Sequence, residues 1–221
     1  MSRPLEALDE LLRGPVRWRE APSGKHSRRK GATDLGGLLQ KAARVTSRRP
    51  EVMVRITSKC RGAGHVSEHL AYTTRNGKLI GEDECGQLVI GQRMVRETAT
   101  AWMDGSNINR RRNSRDTCNL VLSMPVGTDP DKLLDAAREF AQKEFGGKHA
   151  YVFLLHTKDT DPAKKKADHP HVHLTVRALG FHGQRLNPRK ADLQRWREGF
   201  AESCRAVGIA AEARLDVRAA W

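Results

Sequence analysis

Long apolar runs are missing from this chain. Its longest are only a few residues, far below the ~20 needed to cross a bilayer, and the first residues, Met1-Ser2-Arg3-Pro4-Leu5-Glu6, contain no apolar stretch of the kind that precedes a signal cleavage site. A soluble protein without a secretion signal is expected. The four cysteines, Cys60, Cys85, Cys118 and Cys204, are dispersed, which excludes the close pairs that clamp zinc or form a redox couple and predicts free thiols in a reducing cytoplasm. Aromatic residues make up 5% of the chain and only two are tyrosine, Tyr72 and Tyr151. Any chemistry that needs a phenol therefore has two candidates. No internal repeat is visible.

Acidic residues are also in short supply, 26 against 40 Lys and Arg, giving a formal charge of +14 and a pI near 10.2. A surface selected only for solubility mixes signs, whereas Arg110-Arg111-Arg112 and Lys164-Lys165-Lys166 are unmixed blocks. The balance predicts a polyanionic partner, with nucleic acid the leading candidate.

The charge is not spread evenly. Residues 1–49 carry Leu5, Leu8, Leu11 and Leu12 at the spacing of a short amphipathic helix, then Ser23-Gly24-Lys25-His26-Ser27-Arg28-Arg29-Lys30-Gly31, which has little to bury. They are expected to form a basic, partly disordered N-terminal arm. A folded domain is expected over 50–221. It opens with the strand candidate Val52–Ile56, followed by a helix over Val66–Arg75 in which Val66, His69, Leu70 and Thr73 share one face and Asn76-Gly77 supplies a stop. A second helix is expected over Arg93–Met103, with an exposed basic loop from Asn107 to Arg112. Asn119–Ser123 reads as a strand stopped by Pro125, and Asp129 or Thr128 can cap a helix with Pro130 in its first turn. Two adjacent strands, Tyr151–His156 and His171–Arg177, and a helix over about Lys190–Val207 complete the pattern. That order suits an α+β sandwich with a largely antiparallel sheet.

The strongest chemical signal is His169-Pro170-His171-Val172-His173. Residues two apart on a strand project from one face, so His171 and His173 offer two imidazoles to one point while Val172 and Leu174 pack behind them. A third ligand must come from elsewhere. His156 is well placed if its strand pairs with the next, and three histidines with an open position describe a catalytic metal site. Four of the nine histidines fall at 156, 169, 171 and 173, flanked by Asp159, Asp161 and Asp168, and this clustering strengthens the metal reading. A metal in a basic protein can polarise a phosphoryl oxygen. Tyr72, at a helix end before Thr73-Thr74-Arg75-Asn76-Gly77-Lys78, has basic neighbours suited to a phosphate, whereas Tyr151 lies in an apolar strand.

Three runs occur in a telling order: His69-Leu70-Ala71-Tyr72-Thr73-Thr74-Arg75-Asn76-Gly77-Lys78-Leu79, then Leu122-Ser123-Met124-Pro125-Val126-Gly127-Thr128-Asp129, then Leu155-His156-Thr157-Lys158-Asp159 through His169-Pro170-His171-Val172-His173. Over about residues 51–210 the chain resembles relaxases of the HUH endonuclease superfamily, in the P-type mobilisation branch that includes the T-DNA border nickases. The resemblance implies a five-stranded antiparallel sheet flanked by helices and metal-dependent nicking of one DNA strand at a transfer origin. It also implies a tyrosine, here Tyr72, linked to the 5′ phosphate, and ligands at His156, His171 and His173. The family's gap between the first histidine and the His-x-His pair is usually short, and Pro162–Ala167 lengthens it here, so Asp159, Asp168 and His169 are alternatives for the third position or for supporting it. Ser123 belongs to the second of these runs, which allows it a DNA contact; a strand-end hydroxyl capping a turn is the alternative. Arg75, Lys78, Arg110, Arg111, Arg112, Lys164, Lys165 and Lys166 are expected to bind DNA. Mg²⁺ or Mn²⁺ is the preferred ion, and the expected partners are single-stranded DNA, relaxosome accessory proteins and secretion-system coupling proteins.

Three other readings compete. An HUH replication initiator or transposase usually places its tyrosine after the His-x-His pair, whereas Tyr72 precedes it by about a hundred residues. An inactive single-stranded DNA-binding accessory protein would bind with or without metal and never become covalently attached. A metallohydrolase would use water in place of Tyr72.

Overall fold

The computed structural model describes residues 50–103, 115–161 and 168–213. The basic arm over 1–49 and the blocks Arg110–Arg112 and Lys164–Lys166 lie outside the described residues. The elements are, in chain order, β1 (Glu51–Ser58), α1 (Gly62–Thr73), β2 (Gly81–Asp83), β3 (Leu88–Val89), α2 (Gly91–Met103), β4 (Thr117–Ser123), α3 (Pro130–Phe145), β5 (Tyr151–His156), β6 (His171–Arg177), α4 (Lys190–Ala206) and β7 (Glu212–Ala213). They form one seven-stranded sheet in the order β3-β2-β5-β6-β4-β1-β7. The α+β class and the helix-flanked sheet are as expected.

The sheet differs from the expected five strands at its edges. The four long strands are all present, and every pairing among them is antiparallel. The additions are the hairpin β2–β3 and the short β7, which pairs parallel with β1. Elements of two or three residues are too short to show the alternation by which a strand is recognised. The hairpin is held instead by local chemistry, the Asp83 carboxylate accepting from the Cys85 and Gln87 amides at 2.9 and 2.8 Å.

Side-chain alternation gives the sheet two different faces. On one, Leu120 and Leu122 of β4, Tyr151 and Phe153 of β5, and Val172, Leu174 and Val176 of β6 pack against Leu133, Phe140 and Phe145 of α3 and Trp196 and Phe200 of α4. Phe140 meets Phe145 and Phe200 edge to face at 6.2 and 5.8 Å, each pair adding about 0.5–1.5 kcal/mol beyond simple burial. The α3 N-terminus is fixed as its sequence implies: the Asp129 side chain accepts from the Asp131 and Lys132 amides, with Pro130 in the first turn. On the other face Val152 packs with Val66 and Leu70 of α1 and Val95, Ala99 and Trp102 of α2. His171, His173 and His156 have the parity of this second face.

The turn after α1 is tightly built. The helix stops at Thr73, two residues before the expected Arg75, because Arg75, Asn76 and Gly77 all adopt left-handed backbone conformations, with φ of 52, 58 and 79°. The Thr74 hydroxyl donates to the Leu70 carbonyl at 2.6 Å and accepts from the Gly77 amide at 3.1 Å. Gly77 in turn accepts from the Gly91 amide at 3.0 Å, so a Cβ at position 77 would overlap the Gly91 backbone. Gly77→Ala should therefore cost about 2–4 kcal/mol, from left-handed strain plus steric overlap. Gly86→Ala, also left-handed but with open space around it, should cost only about 1 kcal/mol. Denaturant melts of both variants make the comparison, and equal losses would contradict the role given to the Gly77–Gly91 approach.

A candidate metal centre beside the Tyr72 helix

Strand register assembles the histidines. β5 and β6 pair antiparallel with His156 opposite His171, and directly paired residues project from the same face. His173 follows His171 by two and so joins them. One nitrogen from each of His156, His171 and His173 lies within 4.8 Å of the others, and the rings are 4.5 to 5.3 Å apart. All three side chains are buried.

Hydrogen bonds fix which nitrogen is free. A carbonyl can only accept, so His156 Nε2 donates to the Thr73 carbonyl at 2.7 Å, which leaves the Nδ1 lone pair of His156 buried and without a partner. His171 Nδ1 likewise donates to the His169 carbonyl at 3.3 Å, freeing Nε2. A backbone carbonyl on the far nitrogen is the usual way a metal-binding imidazole is oriented. An orphaned nitrogen donor among converging imidazoles fits a divalent cation.

Burial pushes the histidines toward their neutral, ligating forms. Desolvation takes His156 down to about 4; its bond to Thr73 opposes the shift, while His171 and Arg75 add repulsion and Asp161 attraction. Burial lowers His171, and it holds His173 well below its usual value, with His156, His171 and His69 adding to the repulsion around His173. His69, on the buried face of α1, is lowered to about 4 by burial.

These shifts carry a pH dependence. A histidine whose folded pKa is depressed leaves the unfolded chain holding more protons below pH 6.5. Its contribution to stability is thus complete above 6.5 and is lost as pH falls toward 4. For His156, fully buried, the loss is on the order of 3 kcal/mol. The metal-free protein should show a melting temperature that is flat near pH 7–8 and drops between pH 6.5 and 4. Melts monitored by circular dichroism across that range provide the check, and a profile flat down to pH 4.5 would contradict the burial of neutral imidazoles.

The remaining site candidates fall into three groups. Ser123 is buried and pairs with His171 across β4–β6, so it lies on the histidine face. Tyr72 is half-buried in the last turn of α1, immediately before the Thr73 carbonyl that holds His156. Arg75 and Lys78 are exposed in the turn that follows, Arg75 close enough to His156 to disfavour its protonation. The alternatives for the third metal position stand apart from the triad. Asp168 is exposed and pairs with Lys158 Nζ at 2.7 Å, Asp159 is exposed, and His169 contributes its carbonyl to His171. Among the described residues none of the three adds an atom to the converging group.

Two residues were not singled out by sequence reasoning. Asp161 is buried and its charge favours protonation of both His156 and His171. Its only signal in the sequence was proximity to the histidine cluster. His69 was read as one of four residues on an apolar helix face. A histidine at such a position, three residues before Tyr72, was the available clue.

The model of the MobA/VirD2-like relaxase nuclease domain matches residues 72–209. The T-DNA border endonuclease VirD2 of Rhizobium radiobacter is 30% identical over 155 residues, covering 61% of this chain and 34% of that protein. The 43 kDa relaxation protein of Salmonella typhimurium is 24% identical over 129 residues, covering 55% of this chain and 34% of that protein. The chain thus spans about a third of the length of these relatives. A solved structure described as "Molecular Basis of Vancomycin Resistance Transfer in Staphylococcus aureus" aligns with 76% of this chain and 98% of its own at 14% identity and a TM-score of 0.44.

Proposed function

The chain belongs to the MobA/VirD2-like relaxase family, and from that premise we propose that it is a site- and strand-specific DNA-nicking relaxase in which Tyr72 becomes joined to the 5′ phosphate at a transfer origin. The observation that carries this reading is the bond from His156 to the Thr73 carbonyl. It ties the converging histidines to the residue next to the tyrosine, across 83 positions of sequence.

In this reading His156 through Nδ1, His171 through Nε2 and His173 hold a divalent cation. A cation held there would supply Lewis-acid polarisation of the phosphate and offset charge developing during displacement. The phenol oxygen of Tyr72 forms a bond to phosphorus as the bond from phosphorus to the 3′ oxygen breaks. The phenol loses a proton and the departing 3′ oxygen gains one, so the step is balanced without net proton release. Arg75 stabilises negative charge on the phenolate and the phosphate. Attack by the free 3′ hydroxyl on the phosphotyrosine reverses the step and reseals the strand. Mg²⁺ or Mn²⁺ would serve, Mn²⁺ being better suited to three nitrogen donors.

Affinity for DNA comes from phosphate contacts by Arg75, Lys78, Arg110–Arg112 and Lys164–Lys166 more than from the metal. Ser123, on the histidine face, is assigned a DNA contact. The remaining partners on this reading are relaxosome accessory proteins and secretion-system coupling proteins. No helix among the described residues is long and apolar enough to cross a membrane.

A panel of end-labelled single-stranded oligonucleotides spanning candidate transfer origins tests the reading. Cleavage of one strand at one position, with Mn²⁺ and not with EDTA, is the expected result. Binding of every oligonucleotide without cleavage would favour the accessory-protein reading.

A further inference from the structure

His69 is a buried titratable group that the mechanism leaves unused. Its side chain is 6% exposed, and neither ring nitrogen has a hydrogen-bond partner. A neutral imidazole carries one donor and one acceptor, and burying both without partners is costly unless something occupies the space between them and the next polar group. α1 lays this buried face on the side of the sheet that carries the histidine triad: His69 shares it with Val66 and Leu70, which pack with Val152, and with Thr73, whose carbonyl accepts from His156. The position is also built into α1. The Thr73 hydroxyl donates to the His69 carbonyl at 3.0 Å, and the Thr73 carbonyl accepts from His156. One helix face thus carries both His69 and the carbonyl that orients one histidine of the triad.

We propose that His69 is a fourth imidazole of this centre and holds, through one water molecule, the cation that His156, His171 and His173 bind directly. The inference rests on the metal reading given above. The contact is assigned to a water and not to direct ligation because the nitrogens that lie within 4.8 Å of one another include none from His69. A water there would give one nitrogen of the His69 ring a partner and fill an open position of a three-histidine site. A core role is the competing account, since His69 shares its face with Val66 and Leu70. The two accounts predict opposite behaviour on replacement by an apolar side chain. His69 lies outside the matched residues 72–209.

The test uses His69→Leu and His69→Gln in the full chain, with two readouts: the melting temperature without metal, and the Mn²⁺ dissociation constant by calorimetry. Leucine removes the unsatisfied nitrogens while keeping bulk, so the metal-free melting temperature of His69→Leu should be unchanged or raised. Its Mn²⁺ dissociation constant should rise by about 10- to 100-fold, as when groups supporting a metal site are removed. His69→Gln retains a donor and an acceptor and should recover part of the affinity. Wild-type Mn²⁺ affinity in both variants would overturn the inference while leaving the metal reading intact. A His69→Leu protein that loses its fold, with His69→Gln folding and binding Mn²⁺ as wild type, would also overturn it and assign His69 to packing. Absence of any Mn²⁺ binding by the wild-type protein would overturn both.

Discussion

Tyr72→Phe should reduce nicking by roughly 10³-fold or more, the scale on which removing a nucleophile acts, while leaving the fold and oligonucleotide affinity nearly unchanged. Only a hydroxyl is lost, and DNA affinity is carried mainly by basic groups. Tyr151→Phe is the internal control, and the structure makes it a sharp one. Tyr151 sits on the opposite face of the sheet from the histidines, buried among Phe145 and Phe153, and its hydroxyl donates to Gln142 Oε1 at 2.9 Å. Burial, reinforced by Glu84, Glu82 and Asp83, pushes that phenol up to about 12, the wrong direction for a nucleophile. Its loss should cost about 1 kcal/mol of stability and none of the rate. Initial nicking rates of the two variants on one oligonucleotide decide the matter. Cleavage by Tyr72→Phe at the wild-type rate would transfer the chemistry to water.

The second large effect concerns the triad. His171→Ala or His173→Ala removes one of three direct ligands, so the Mn²⁺ dissociation constant should rise by more than about 100-fold, beyond the range seen for supporting groups, and nicking should disappear. DNA binding should survive, because the cation contributes one charge centre among many basic contacts. His169→Ala should have a small effect, because the group that His169 offers His171 is its backbone carbonyl, which the substitution keeps. Calorimetry with Mn²⁺ beside a gel assay of nicking separates the outcomes. Full cleavage by His173→Ala, or in excess EDTA, would remove the metal from the mechanism.

Most of the fold was legible in the sequence because its central elements carry strong local signals. β5 and β6 have the bounds that their strand-forming runs, Tyr151–His156 and His171–Arg177, imply, and the buried face of α1, Val66, His69, Leu70 and Thr73, follows from helical spacing alone. The edges were not legible. β2, β3 and β7 owe their existence to pairing partners far away in sequence, and a pair such as Glu212–Ala213 has no pattern of its own. The same distinction runs through the site. His171 and His173 declare their shared face by spacing, but the place of His156 depends on β5–β6 register, and its free nitrogen depends on Thr73, 83 residues away. For His69 helical spacing gives only a place on the shared face of α1, because a buried face looks the same in sequence whether its histidine packs or binds. What the structure adds is the lack of partners for both ring nitrogens.

The central claim is that a phenol of this chain, and not water, takes the phosphate. Intact-mass measurement after incubation with a cleavable single-stranded oligonucleotide and Mn²⁺, followed by peptide mapping, tests it most directly. The account predicts a protein heavier by the fragment that carries the 5′ phosphate, attached at Tyr72, together with a released fragment ending in a 3′ hydroxyl. Cleaved DNA with a free 5′ phosphate and protein of unaltered mass at every time point, or an adduct mapped to Tyr151, would contradict it.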